Sequence, residues 1–304
     1  MFNKITNIKI SPMRRNELIC AFVFISPLVI GIGIFYFFAF FQNIYYSFTD
    51  LASFGKPNFI GIDNYKVLLT DKKFYIALIN TLKYVAICVP GIVIFATLAA
   101  VLLDSKLRGM TFFRTVLFIP AVTLPAAISL LWRWLYNDEF GILNIILDKY
   151  DIPKIGWLSD PKLVLYSVAF VIIWSMISTQ MILILAGLKN IPKMYYESSQ
   201  IDGANKWQVF GHITLPLLSP TLFFVITMTV INIFQVFDYI FMMLNSESLS
   251  MRYGMSIVYY FYQKAFIEFN RGYASAISML LFGIIMIFTI IQLRLQKKWV
   301  NYDS

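Results

Sequence analysis

Long apolar runs separated by short polar stretches dominate the pattern of this chain. Six stretches hold about 20 or more mostly apolar residues, the length a helix needs to cross a bilayer. They lie at roughly 18–41, 76–103, 112–136, 163–188, 217–244 and 274–293. Each is too long for a barrel strand, and only helices or closed barrels satisfy their own backbone in lipid. The pattern therefore predicts an all-α integral membrane protein with six transmembrane helices. Pro27, Pro90, Pro120 and Pro125 fall inside these runs, which membrane helices accept where neighbours re-satisfy the freed backbone groups.

The runs divide the chain into a basic tail at 1–16, a first transmembrane helix at 17–41 and an extracytoplasmic loop at 42–75. A core at 76–293 then holds the other five helices and a loop at 189–216, and a tail at 294–304 closes the chain. Lys4, Lys9, Arg14 and Arg15 precede the first run as in a signal peptide. That run is longer than a cleaved segment and ends in no clean small-x-small site, so it is expected to be retained. With the amino end inside, thirteen Lys and Arg flank the spans on the inner side, among them Lys106 and Arg108 in one very short loop and Arg114 just after it. Ten lie outside. The positive-inside rule thus places both termini in the cytoplasm.

Composition agrees. The 304 residues are 59% hydrophobic and 13% charged, where soluble domains run at about half and a quarter. The aromatic share of 17% suits interfacial belts, with Trp132, Trp134, Tyr136 and Trp299 at span ends. Arg133 and Lys83 are expected to snorkel. A net charge of +9 sits beside spans rather than in a nucleic-acid-reading motif, so no nucleic-acid partner is expected. Cys20 and Cys88 both lie in apolar runs and read as small buried hydrophobes, not a disulfide framework.

Between the fourth and fifth spans the loop reads as two short helical pieces. Pro192 suits a first turn, Glu197 and Asp202 favour early turns, and Gly203 is expected to take a positive φ or a close approach. Trp207, Phe210, Ile213 and Leu215 then form an apolar stripe before Pro216 opens the next span. By pattern alone this is a membrane-surface hairpin that ties two spans together.

The same loop closely resembles the cytoplasmic signature of binding-protein-dependent ABC importer permeases. That signature is Glu-Ala-Ala, three residues, Gly, nine residues and Ile-x-Leu-Pro. Glu197, Gly203, Ile213, Leu215 and Pro216 match it with every spacing kept, and Ser198 and Ser199 stand for the alanines. Asn80-Thr81-Leu82, Trp132-Arg133-Trp134-Leu135, Phe234-Gln235-Val236-Phe237-Asp238 and Gly272-Tyr273-Ala274-Ser275-Ala276 are similar to carbohydrate-importer permeases of the first-subunit type. After the fifth span, Asn245 to Ser250 replaces a Gly-Gly-Pro common in those relatives. The resemblance implies a type I ABC importer permease fold in a bacterial cell membrane, carrying a sugar or oligosaccharide. It makes Glu197, Ser198, Ser199, Asp202, Gly203, Ala204, Ile213, Leu215 and Pro216 a helix that docks into an ATPase subunit. The implied partners are a second permease, two ABC ATPases that use ATP and Mg, and an extracytoplasmic solute-binding protein. This chain would bind no cofactor itself.

Polar side chains inside spans face a cavity or a partner helix. Asn232 and Gln235 lie three apart, with Met228 and Tyr239 four residues beyond them, so a continuous helix would put all four on one face. Ser175, Ser178, Thr179 and Gln180 add polar groups on the fourth span. Amides and hydroxyls can bind a sugar's hydroxyls, while Trp174, Phe234 and Tyr239 could cover its apolar faces. The expected pathway is therefore Trp174, Ser178, Asn232, Phe234, Gln235 and Tyr239, with helix-to-helix hydrogen bonding as the other use of the polar members. Asp238, further along, is expected at the outer interface. No Gly-x4-Gly-Lys-Ser/Thr occurs, and His212 is the only histidine, so no metal pair or catalytic centre is expected. The rival class is a stand-alone secondary transporter or channel for a small polar solute, but neither a midplane ionisable group nor a pore motif is evident.

Overall fold

The structure, a computed structural model, describes residues 12–52, 55–104 and 110–300. Lys4, Lys9, Lys106, Arg108 and residues 301–304 of the tail lie outside the described residues. Among those described, the regular structure is helical, apart from one isolated bridge between Thr49 and Phe59.

The chain opens with α1 (Pro12–Ile32), which passes through a π-helical segment at Gly33–Phe38 into α2 (Ala39–Ser47). Next come α3 (Asp63–Thr70) and α4 (Lys72–Asp104), the latter 33 residues long. They are followed by α5 (Met110–Val122), α6 (Pro125–Leu135), α7 (Ile142–Asp148) and α8 (Val164–Lys189). α9 (Lys193–Ile201) and α10 (Lys206–Val209) lead through a second π-helical segment, Phe210–Thr214, into α11 (Leu215–Phe234). The last elements are α12 (Asp238–Met243), α13 (Met251–Gly254), α14 (Ile257–Tyr262) with a π-helical extension at Gln263–Ile267, and α15 (Arg271–Trp299).

Five helical runs among the described residues are long and apolar enough to cross a membrane, and the bent pair α5–α6 makes a sixth. Helices overrun the apolar stretches at several ends: α2 continues to Ser47, and α15 runs from Arg271 to Trp299 rather than over 274–293. Lysine and arginine stems can carry helical backbone past the hydrocarbon layer while their charges stay in polar surroundings.

Two spans expected as single helices are broken. The 112–136 stretch bends by 103° at Thr123–Leu124. Pro125 pushes the residue before it out of the helical region, and Leu124 is extended at φ −60° and ψ 135°. The 217–244 stretch stops at Phe234 and restarts at Asp238. No proline lies at this second break. The Val236 carbonyl leaves the helical ladder and accepts a 2.7 Å hydrogen bond from Ser256 Oγ instead.

α4 and α8 form the centre of the bundle. Tyr84, Cys88, Ile92, Val168, Ala169 and Ile172 pack in one cluster, and Ala96, Ala100, Met181, Ile184 and Leu218 in a second nearer α9. Small residues let such helices approach closely without a water-driven hydrophobic force. Buried polar groups on α4 hold the 252–257 segment across the bundle. Asn80 Nδ2 donates to Arg252 O at 3.1 Å, Tyr84 OH to Gly254 O at 2.9 Å, and Ile257 N to Thr81 Oγ1 at 2.9 Å.

Only the second half of the first span packs on this core. Asn43 Nδ2 donates to Ser278 Oγ at 2.8 Å, and Gly272 N to Leu51 O at 2.9 Å. A Cβ on Gly272 would lie 2.1 Å from Thr49 O, so the close approach requires glycine. The first half leaves Phe22 and Phe24 exposed, and exposure continues through Phe35 and Tyr36 of the π-helical segment. Cys20 is exposed with them, contrary to expectation, because its helix has no neighbour there; Cys88 is buried.

Candidate functional site

The two helix breaks meet in one place. They border a cleft of about 360 Å³ whose wall combines the α5–α6 corner, the middle of α8 and the turn after α11. Discontinuous helices of this kind supply polar groups at depth, where an unbroken helix would offer only side chains. Thr123 lies in the corner, Ser175 and Thr179 on α8, and Asn232, Gln235 and Tyr239 around the second break. Tyr239 and Ser175 hydroxyls lie 2.7 Å apart, which fixes the tyrosine ring against α8. Asn232 and Gln235 are exposed within the chain. Apart from Asp238 the polar lining is uncharged, and no Lys or Arg contributes. Such a set of amides and hydroxyls can exchange hydrogen bonds with a polyhydroxylated, uncharged solute.

Of the six residues expected along a pathway, Asn232, Gln235 and Tyr239 line this cleft. Phe234 does not: it is fully buried and packs on Phe288 with ring centroids 5.0 Å apart. Ser178 is buried outside the lining, and Trp174 packs against Trp132 at 5.6 Å in a separate aromatic cluster. The shared helical face expected for Met228, Asn232, Gln235 and Tyr239 also fails, because α11 ends at Phe234. For the same reason Asp238, expected at an outer interface, begins α12 and borders the cleft. The contribution of Thr123 went unforeseen, although prolines at 120 and 125 bracket it in the sequence. Arg133, expected to snorkel, is exposed and donates to Met242 O at 3.2 Å.

At the opposite end, α9 and α10 form a hairpin. Gly203 sits at φ 74° with open space around its missing side chain. Its N–H bonds Gln200 O at 3.2 Å, and the Ala204 N–H bonds Ser199 O at 3.0 Å, closing α9 with its last carbonyls satisfied. Asp202 is the C-cap of α9 and Glu197 its fifth residue, so neither is an early-turn residue and a favourable helix dipole explains neither. Asn205 starts α10 with a capping box completed by Gln208. Glu197, Ser198, Asp202 and Gly203 are exposed, whereas Ser199 is buried and Ala204, Ile213 and Pro216 are partly so. Ile201 and Trp207 project at 87% and 84% exposure, an apolar tip that this chain leaves uncovered.

The second arm of the hairpin is continuous with the span. Lys206–Phe234 is one helical run of 29 residues. Pro216 lacks an N–H and crowds the carbonyl four residues earlier; the π-helical segment Phe210–Thr214 immediately before it absorbs that mismatch within the helix. The helical run therefore ends at the broken turn that borders the cleft.

Residues 71–301 match the family described as binding-protein-dependent transport system inner membrane component. The Bacillus subtilis protein named probable ABC transporter permease protein YesP is 33% identical over 95% of this chain and 94% of its own length. The arabinooligosaccharides transport system permease protein AraP of the same species is 30% identical over 90% of this chain and 87% of its own. A crystal structure of a bacterial alginate ABC transporter in complex with an alginate pentasaccharide-bound periplasmic protein superposes with a TM-score of 0.81 at 20% identity. It covers 94% of this chain and 96% of the matched chain, which establishes the shared fold. Broken spans around a cleft and an unbroken run into the 193–216 hairpin thus belong to a multi-pass membrane protein of the binding-protein-dependent transport system inner membrane component family.

Proposed function

We propose that this chain forms half of the translocation pathway of an ATP-driven importer for an uncharged oligosaccharide. The observation that carries the substrate reading is the cleft at the paired helix breaks, lined by Asn232, Gln235, Thr179 and the Ser175–Tyr239 pair. Uncharged hydrogen-bonding groups can replace a sugar's hydration without demanding a counter-charge. AraP, named for arabinooligosaccharides, lends the same direction. The orientation that follows the Lys and Arg distribution puts both termini and the α9–α10 hairpin in the cytoplasm.

In this reading Glu197, Ser198, Ser199, Asp202, Gly203 and Ala204 form the end that docks on an ATPase subunit, with Ile201 and Trp207 as apolar contacts. Ile213, Leu215 and Pro216 join that end to the span. Two ATPases hydrolyse ATP with Mg²⁺, a second permease supplies the other half of the pathway, and an extracytoplasmic binding protein delivers the solute. Motor closure moves the hairpin as a rigid body. α11 is about 30 Å long at 1.5 Å per residue, so its far end at the cleft moves with it.

Purification of the tagged chain from mild detergent tests the assembly. A second permease and two ATPase copies are expected with it. A chain that never brings an ATPase down, in any detergent that preserves its fold, is not an importer subunit.

A further inference from the structure

We propose that four aromatic rings, Phe237, Phe241, Tyr262 and Phe266, form a track on which the apolar faces of sugar rings travel between the outer mouth and the cleft. The inference rests on the carbohydrate reading above and adds a second binding element to it.

Phe237 is the inner rung, since it borders the cleft. Its ring stacks on Phe241 at 5.1 Å with planes 24° apart. Tyr262 lies 5.2 Å from each of these two rings. Phe266 then stacks on Tyr262 at 5.4 Å and 27°. Phe237, Phe241 and Tyr262 thus form a triangle that Phe266 extends, and the series leaves the cleft in two steps through Tyr262, each about the span of one sugar unit.

The direction of the ladder follows from the contacts at its two ends. Ser256, just before α14, bonds Val236 O beside the cleft. Lys264, in the π-helical extension beyond α14, lies 5.7 Å from the centre of the Tyr273 ring, and Tyr273 OH donates to Asp71 at the start of α4. α14 and its extension therefore rise from cleft depth to the end of the bundle where α4 begins.

Burial separates the outer two rings from ordinary core: Tyr259 and Tyr260 on the same element are buried at 7% and 1% exposure, whereas Phe241 is 38% and Phe266 55% exposed. Phe237 and Tyr262 are half-buried between them and the core. Charge is turned away from the track. Lys264 pairs with Glu268 at 2.6 Å and leans over the Tyr260 and Tyr273 rings. An interfacial belt would collect aromatic rings at one depth, whereas this series runs along the bundle and starts inside the cleft. Aromatic faces cover the C–H faces of a sugar while leaving its hydroxyls hydrated, so each step is weak and the solute can move on.

The test uses the complete importer, with both permeases, its ATPases and its binding protein, in proteoliposomes. The probes are arabino-oligosaccharides and malto-oligosaccharides from mono- to hexasaccharide. Phe241→Leu and Phe266→Leu keep apolar volume but remove the flat ring; Phe241→Trp and Phe266→Trp restore one. The track requires the double leucine variant to lose roughly tenfold in kcat/KM for the longest transported chains and less than about twofold for the shortest. The tryptophan variants should recover most of that loss. Equal uptake at every length by the leucine variant would overturn the track alone, as would loss of the second permease from the purified complex, which would make these rings a subunit interface. If the unsubstituted importer takes up no saccharide of either series, the carbohydrate reading falls and the track with it.

Discussion

The hairpin end and the cleft treat the helix in opposite ways. From Lys206 to Phe234 the backbone stays helical for 29 residues, even across Pro216. Around the cleft it breaks twice within reach of one cavity, at Thr123–Leu124 and after Phe234. A part that transmits a rigid-body movement must not bend, and a π-helical segment keeps it whole where a proline would kink it. A part that holds a polar solute inside a membrane gains backbone groups and irregular shape from a break, provided protein lines it. In the proposed importer the two demands meet on α11, which continues from the hairpin at one end and borders the cleft at the other.

Breaking the lever should have the largest effect. Two glycines inserted after Gly211 should cut uptake on the order of 100-fold while the assembled complex still hydrolyses ATP; uptake that survives the insertion would show that α11 transmits nothing. At the cleft, Asn232→Ala combined with Gln235→Ala should lower uptake by roughly 10- to 30-fold, the cost of two hydrogen bonds at about 1 kcal/mol each. Unchanged transport and selectivity in that pair would leave the cleft without its assigned solute. Gly203→Asp should reduce coupled uptake by roughly tenfold with the protein still in the membrane, while Gly203→Asn should be much milder. Both substitutes tolerate a positive φ, so the difference isolates the added charge on the docking end. Normal uptake in Gly203→Asp would remove the docking role.

The smallest effect lies where α4 begins, away from both regions. Burial raises the Asp71 carboxyl, but hydrogen bonds from Tyr260 and Tyr273 and from the Lys73 and Phe74 N–H groups outweigh it and hold the group below its ordinary range. A depressed folded pKa contributes stability above the unfolded value of about 3.9 that is lost as pH falls through the folded value. Asp71→Asn should therefore lower Tm by a few degrees near neutral pH, about 1 kcal/mol. The gap between the variant and the original should begin to close near about pH 4 and go on shrinking as pH falls toward the depressed folded value. A gap that stays constant to pH 3 would mean that the carboxylate charge contributes nothing.

Much of this division was legible in the sequence. Six apolar stretches, the polar interruption at 189–216 and the spacing from Glu197 through Gly203 to Pro216 required no coordinates. The first break also left a trace in Pro120 and Pro125. The second did not, because no residue in Gln235-Val236-Phe237 forbids a helix; it depends on Ser256, twenty residues away, reaching the Val236 carbonyl. Asn80 and Thr81 likewise read as an opening motif, and only their bonds to Arg252, Met255 and Ile257 show that they hold the returning segment.

The sequence by itself determined that the chain lives in a membrane, roughly where it crosses, and which loop resembles a motor handle. Only the tertiary structure decided which side of each span faces the cleft, and so placed Asn232, Gln235 and Tyr239 on its lining and Phe234, Ser178 and Trp174 off it. The physical reason is that lipid and protein core are both apolar. Hydrophobic pattern separates inside from outside for a soluble helix, but in a bilayer the same apolar side chain suits either neighbour. Facing is then settled by close packing and by a few buried hydrogen bonds between distant segments.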